Sequence, residues 1–317
     1  MKNATIPSIY TQRRRNIIRT WLIILTFGLV VLGIAFVFAY WYQDVSIVVI
    51  ALVLAIFSSI TSYYFSDKIA LKSTGAYQAD RNNRSHLRII RMVENMAITA
   101  GIPTPRVHII DDPAPNAFAT GRNPEHASVA FTTGLLEILN DAELEGVVAH
   151  EISHIGNRDI LVGTIVVIMI GFIALLADIF MRMGMLGSHK SGEGGPAAGV
   201  TILIVFALAI FSPLIGKLIQ AAVSRKREYL ADASGALLTR YPEGLAQALI
   251  KIQSHAQPLQ NVSQATSHLF IANPFLGADS IKDSFRRLVS THPPIEKRVQ
   301  ALTGKEMQRA LEEHQGE

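Results

Sequence analysis

Hydrophobic positions are spread unevenly along this chain. Trp21 to Tyr42 and Val45 to Ser66 each run for 22 residues without a charge, and Ile160 to Ala177 and Ala197 to Gly216 add stretches of 18 and 20. A helix needs about 20 apolar residues to cross a bilayer, so the pattern predicts four membrane spans. Only Gln43 and Asp44 part the first two, which reads as a tight helical hairpin. The first stretch is too long for the apolar region of a cleaved signal peptide, and no small-residue cleavage site follows it. For the second pair, buried core helices or helices dipping into one leaflet are the competing reading.

The polar sequence between and after the spans has other periods. His86 to Ala100 places Leu87, Ile90, Met92 and Met96 at helical spacing, and Gly101 with prolines 103 and 105 stops it. Arg106 to Ile110 reads as a strand, Asn116 to Gly121 as a polar turn ending in glycine, and Ser128 to Thr132 as a second short strand. Asn140 followed by Glu143 fits a capping box, opening a helix that ends near Gly156 and Asn157. Residues 217 to about 255 read as helical, with a loop around Asn273 and Pro274 beyond. The expected division is 1–66 (basic segment and hairpin), 67–159, 160–216 (second hairpin) and 217–317.

Composition sharpens this picture. Charged residues are 17% of the chain and hydrophobic ones 50%, with a mean hydropathy of +0.31, which excludes a disordered or fibrous chain. The net charge of +4 is small and has a location. Lys2, Arg13, Arg14, Arg15 and Arg19 precede the first span, Lys68 and Lys72 follow the second, and Lys217 and Arg225 to Arg227 follow the fourth. This distribution puts the N-terminus and the polar pieces in the cytoplasm, and it accounts for the basic excess by attraction to the lipid bilayer, not to nucleic acid. With no cysteine in the chain, any metal must be held by His, Asp or Glu.

The chemistry concentrates at His150-Glu151-Ile152-Ser153-His154. Four residues advance a helix by about 400°, so both imidazoles share one face and can reach one Zn2+. Glu151 stands beside them as a base for water. Two surface histidines on an amphipathic helix would give the same pattern. A catalytic zinc takes a third protein ligand, and Glu228 can provide it; Asp232, one turn on, can hold the free ring N–H of a zinc histidine. Against this, Glu228 stands among Arg225, Lys226 and Arg227 and would pair with them in an ordinary basic helix. Both ligand-bearing helices are expected to continue directly out of spans three and four. A zinc transporter would carry His or carboxylates within its spans, and these have none.

Four segments together resemble the HtpX-type membrane zinc endopeptidases, a bacterial quality-control family related to the CAAX-prenyl proteases. They are the HEISH motif, Ser224 to Ala233, Asn116 to Gly121 and Thr291-His292-Pro293-Pro294. The resemblance implies a cytoplasmic, α+β, gluzincin-like metalloprotease domain with a small sheet on an α-helical integral membrane protein of four transmembrane helices. It implies one Zn2+ per chain on His150, His154 and Glu228, with Glu151 as general base, and polypeptide substrates. It further places substrate against Asn116, Ala117 and Phe118 in a cleft turn. Ser128, Val129, Ala130 and Phe131 would form the edge strand to which an extended peptide adds. His292 would stabilise the oxyanion or cover the metal at rest. A protease restricted to lipid-modified substrates, or a zinc-binding scaffold without activity, are the alternatives.

Overall fold

A computed structural model describes residues 9–166, 169, 225–260, 269–272, 274 and 293–304. Two long helices come first, α1 (Ile9–Tyr42) and α2 (Ser46–Ser73). They turn at Gln43, whose φ of 53° is left-handed, and Asp44 accepts the Ser46 N–H at 2.9 Å. Ser46–Phe65 is long and apolar enough to cross a membrane, and 6% of it is buried in the protein; Thr20–Gly33 of α1 is a shorter apolar stretch. Of the expected second hairpin, only 160–166 and 169 are described. Span four and His292 lie outside the described residues.

Four strands form one sheet in the order β1-β2-β4-β3, built from β1 (Tyr77–Gln78), β2 (Arg106–Ile110), β3 (Ala117–Gly121) and β4 (Ala127–Thr132). β4 runs parallel to β2 and antiparallel to β3. Successive side chains of a strand point to opposite faces, and both faces are covered here. Val129 and Phe131 enter the main core, whereas Ala130 enters a second cluster with Phe118, Ile110 and the α2 residues Ala70 and Leu71. β3 is buried on both faces, its one polar side chain, Thr120, meeting Thr164 at 3.1 Å. That is why Ala-Phe-Ala-Thr-Gly, expected as a turn, is a strand.

The main core packs α3 (Arg84–Ala100) and α5 (Asp141–Gly156) on the sheet, with the short α4 (Thr133–Ile138) between. Asn83 caps α3, and Gly101 ends it in the left-handed conformation that glycine adopts without strain. The buried face of α3 is Ile89, Ile90, Val93, Met96 and Ala97, a small rotation from the expected one. At α5 the capping box forms in full, Asn140 Oδ1 accepting from Glu143 N and Glu143 Oε2 from Asn140 N.

The expected continuity of α5 into span three fails. The chain turns at 157–158, with Arg158 at φ 57°, and a separate helix α6 begins at 159. Beyond it come α7 (Arg225–Thr239), α8 (Pro242–Ser254) and α9 (Ile295–Thr303). Two glycines let these helices close on α5. A Cβ on Gly146 would lie 2.6 Å from the Leu245 nitrogen of α8, and one on Gly235 would lie 3.1 Å from the His150 nitrogen.

Candidate metal centre

The Gly235 crossing lays α7 across α5 at the turn that carries His150. His150, Glu151 and His154 then project toward Glu228, and Asp232 follows one turn along α7. The two Nε2 atoms of His150 and His154 are 3.1 Å apart, and they lie 4.0 and 3.7 Å from the Glu228 carboxylate oxygens. Two donors on one tetrahedral ion with bonds of about 2.0–2.1 Å sit about 3.3 Å apart, so this trio fits a single Zn2+ with small adjustments. No other group of three or more His, Asp or Glu among the described residues is so placed.

Each histidine is oriented through its other nitrogen. Asp232 Oδ1 lies 2.9 Å from His150 Nδ1, and Asp159 Oδ2 lies 3.1 Å from His154 Nδ1. Carboxylates so placed fix the ring and leave Nε2 free for a metal. Asp232 stands where the sequence places it, one turn from Glu228 and against His150; Asp159, the first residue of α6, has no such signal in the sequence. Its separation of five from His154 falls outside helical pairing, and only the left-handed turn at Arg158 swings it back.

Arg298 is the second residue the sequence concealed. It is fully buried on α9 and grips Asp232 through Nε and Nη2 at 2.9 and 2.6 Å. Its Nη1 donates to the Ile271 carbonyl at 3.2 Å and stands 3.9 Å from Glu228. One guanidinium thus compensates two buried carboxylates, which would otherwise be costly to desolvate.

The groups titrate as their surroundings dictate. Burial pushes the Glu151 carboxyl up to about 7, reinforced by the like charge of Glu228 and opposed by His154, Arg298 and the Ala119 N–H. Burial also drives His150 down to about 4 in spite of Asp232. For His154, burial opposes the charge, yet Asp159 and Glu228 outweigh it and raise the ring to about 9. Burial works against the Asp232 charge as well, but Arg298 and His150 win and hold it at about 2. A base near neutrality beside two imidazoles and a carboxylate is an arrangement suited to hydrolysis by an activated water.

The residues expected to meet substrate are placed differently from the expectation. β4 is paired on both sides, so Ser128, Val129, Ala130 and Phe131 cannot be an edge to which a peptide adds. The edge is β3. The side chains of Ala117 and Phe118 are buried, and Phe118 packs edge-on against Phe270 at 5.0 Å. Asn116 is buried too, its amide bonded to both the N–H and the carbonyl of Ala272 at 3.2 and 3.1 Å. The Ala117 carbonyl accepts Ile271 N–H at 2.9 Å. Residues 269–272 therefore cover the start of β3. Ala119 lines the catalytic cavity, together with the two histidines, Glu151 and Glu228.

The profile of peptidase family M48 matches residues 83–306. Among curated proteins, the protease HtpX homolog of Thermoanaerobacter pseudethanolicus is 44% identical over 301 residues, covering 93% of this chain and 97% of that one. The protease HtpX homolog of Tropheryma whipplei is 45% identical over 294 residues, covering 93% and 97%. The crystal structure of S. mikatae Ste24p is similar with a TM-score of 0.48 and 18% identity, covering 87% of this chain and 62% of that one.

Proposed function

The chain belongs to peptidase family M48 and is a membrane metalloendopeptidase, and from that membership we propose that one Zn2+ sits on His150, His154 and Glu228. Its work is hydrolysis of peptide bonds in misfolded or damaged membrane and cytoplasmic proteins, at the cytoplasmic face of a bacterial inner membrane. The observation that carries this reading is the convergence of three ligand atoms from two helices beside a buried Glu151. Four spans, with the N-terminus and the active site on the cytoplasmic side, agree with the distribution of Lys and Arg. Restriction to lipid-modified substrates, or a scaffold without activity, is not favoured: the base is present, and the relatives that cover 93% of the chain are named proteases.

Bound zinc would polarise the scissile carbonyl and lower the pKa of an attacking water. Glu151 takes that water's proton, for which a pKa of about 7 suits it, and returns it to the leaving amine. Asp232 and Asp159 keep the two rings in place throughout. An extended substrate enters the cavity where β3 opens at Ala119 and is bound through its main chain, so varied sequences are accepted. His292, in the segment that leads to α9, supports the oxyanion or shields the metal at rest.

Detergent-purified protein should cut unfolded casein with zinc and stop with a chelator. Loss of casein cleavage must follow zinc removal and reverse when zinc is restored; cleavage indifferent to the chelator overturns the reading.

A further inference from the structure

The depth of the active site relative to the membrane can be read from the aromatic side chains of the hairpin. Trp21 of α1 stacks on Tyr63 of α2 at 6.4 Å, and Tyr64 lies beside Tyr63 at 5.2 Å. Trp21 and Tyr64 are exposed, as residues at a membrane–water boundary are. Exposed Tyr40 marks the opposite level of α1. The interval, 40 − 21 = 19 residues, spans about 28 Å at 1.5 Å per residue, the thickness of a hydrocarbon core. Charges resume on α2 immediately past Tyr64, with Asp67, Lys68 and Lys72.

The cleft is fastened to that level. Arg122, the residue after β3, lies over the Tyr64 ring at 5.2 Å and donates to the Tyr64 carbonyl at 3.3 Å. Asp67 pairs with Arg106 of β2 at 2.6 Å. Two routes bound the distance of Ala119, the β3 residue at the cavity, from the Tyr64 level. Along β3 it is three residues from Arg122, about 10 Å at 3.3 Å per residue. Along α2, its neighbour Phe118 shares a buried cluster with Ala70, six residues past Tyr64, about 9 Å at 1.5 Å per residue. The start of β3 is covered by residues 269–272 and its end by Thr164 of α6, which accepts the Gly121 N–H at 3.5 Å, so Ala119 is the point of β3 that opens on the cavity.

We infer that this peptidase selects bonds by their distance from the bilayer, cutting polypeptides three to five residues beyond the point where a transmembrane segment leaves the membrane. This rests on the proposed endopeptidase activity and names its substrate class: juxtamembrane segments of membrane-anchored chains. A flexible chain of n residues spans about 5–6 Å × √n, which matches 10 Å at three to four residues. Shorter tethers do not reach the cavity, and longer ones pay in local concentration, roughly as the −3/2 power of length.

The test uses zinc-loaded full-length protein in vesicles with a single-span substrate. Its cytoplasmic tail is an unstructured repeat of one short sequence, and mass spectrometry maps the cuts. Cuts should peak three to five residues from the span and be roughly sevenfold rarer at 15 residues than at 4, following the −3/2 power. Inserting a spacer of four or eight Gly/Ser residues after the span should move the cut into the spacer while its distance from the membrane stays the same. Cuts spread evenly along the tail, or cuts that travel with the repeat when the spacer is added, overturn the inference. Casein cleavage in the same vesicles separates the two ideas. If casein is cut while tail cuts are even, the distance rule fails and the endopeptidase stands; if neither is cut, both fail.

Discussion

The hairpin and the catalytic bundle are built inside out relative to one another. On α1 and α2 the large apolar residues face outward, with Leu29, Phe36, Val53 and Phe57 all exposed, whereas in the bundle the charges face inward, with Arg298, Asp232, Glu151 and Glu228 all buried. An outward apolar surface of this kind suits a lipid surrounding, in which the hairpin would need little from the rest of the protein. Every buried charge of the bundle needs a named partner, since a lone ion in a low-dielectric interior costs several kcal/mol. Mutation should therefore act locally and weakly in the first region, and through networks in the second.

The largest effect is expected where a charge does chemistry. Glu151→Gln keeps the ligand trio and removes the base; zinc content should be unchanged while casein hydrolysis falls by about 10²–10⁴. Equal rates for variant and wild type would sink the assignment of Glu151. Arg298→Met probes the network itself. It leaves Asp232 and Glu228 buried without their shared cation, and the expected cost is about 3–5 kcal/mol, read from thermal unfolding together with loss of zinc. If stability and zinc are both retained, the bundle tolerates unpaired charge and the contrast with the hairpin collapses.

Asp159→Asn is a gentler perturbation of the same region. It keeps the shape and removes the charge behind His154, which should weaken zinc by roughly 10–100-fold in a chelator competition. Acidity acts in the same direction on activity. Glu151 works ionised; burial holds its carboxyl up to about 7 without the ion and the charge of bound zinc draws it down, so the rate should rise with pH to a plateau reached by about 7, and on the acid side fall roughly tenfold per unit as the base protonates. A flat profile between pH 5 and 8 would remove Glu151 from the rate-limiting step. The smallest effect belongs to the hairpin. Leu52→Ser on the exposed face of α2 should leave zinc affinity and casein turnover of the detergent-solubilised protein unchanged, because its outward side chain touches no part of the network.

The position of β4 inside the sheet shows how far a pattern can be read. A strand with both faces covered loses the alternation that identifies it, so Asn116 to Gly121 reads as a turn, and the family resemblance alone puts the edge at Ser128 to Phe131. Which strand is the edge depends on pairing order, and that order is set by contacts between residues far apart in the chain. The α5 helix was legible to within a residue, because its cap, its histidine spacing and its stop are local.

Spacing alone determined that His150 and His154 share a face, that Glu151 stands beside them, and that Glu228 and Asp232 point the same way one turn apart. A helix repeats every 3.6 residues wherever it lies, so these relations need no knowledge of the fold. The meeting of the two helices was decided only in three dimensions, by the close crossing at Gly235. So were the swing of Asp159 behind His154 through the turn at Arg158, and the arrival of Arg298 from α9 between two carboxylates, 66 residues along the chain from one of them. Each depends on non-local packing, where the free energy of burying a charge is set by whichever partner the fold delivers to it.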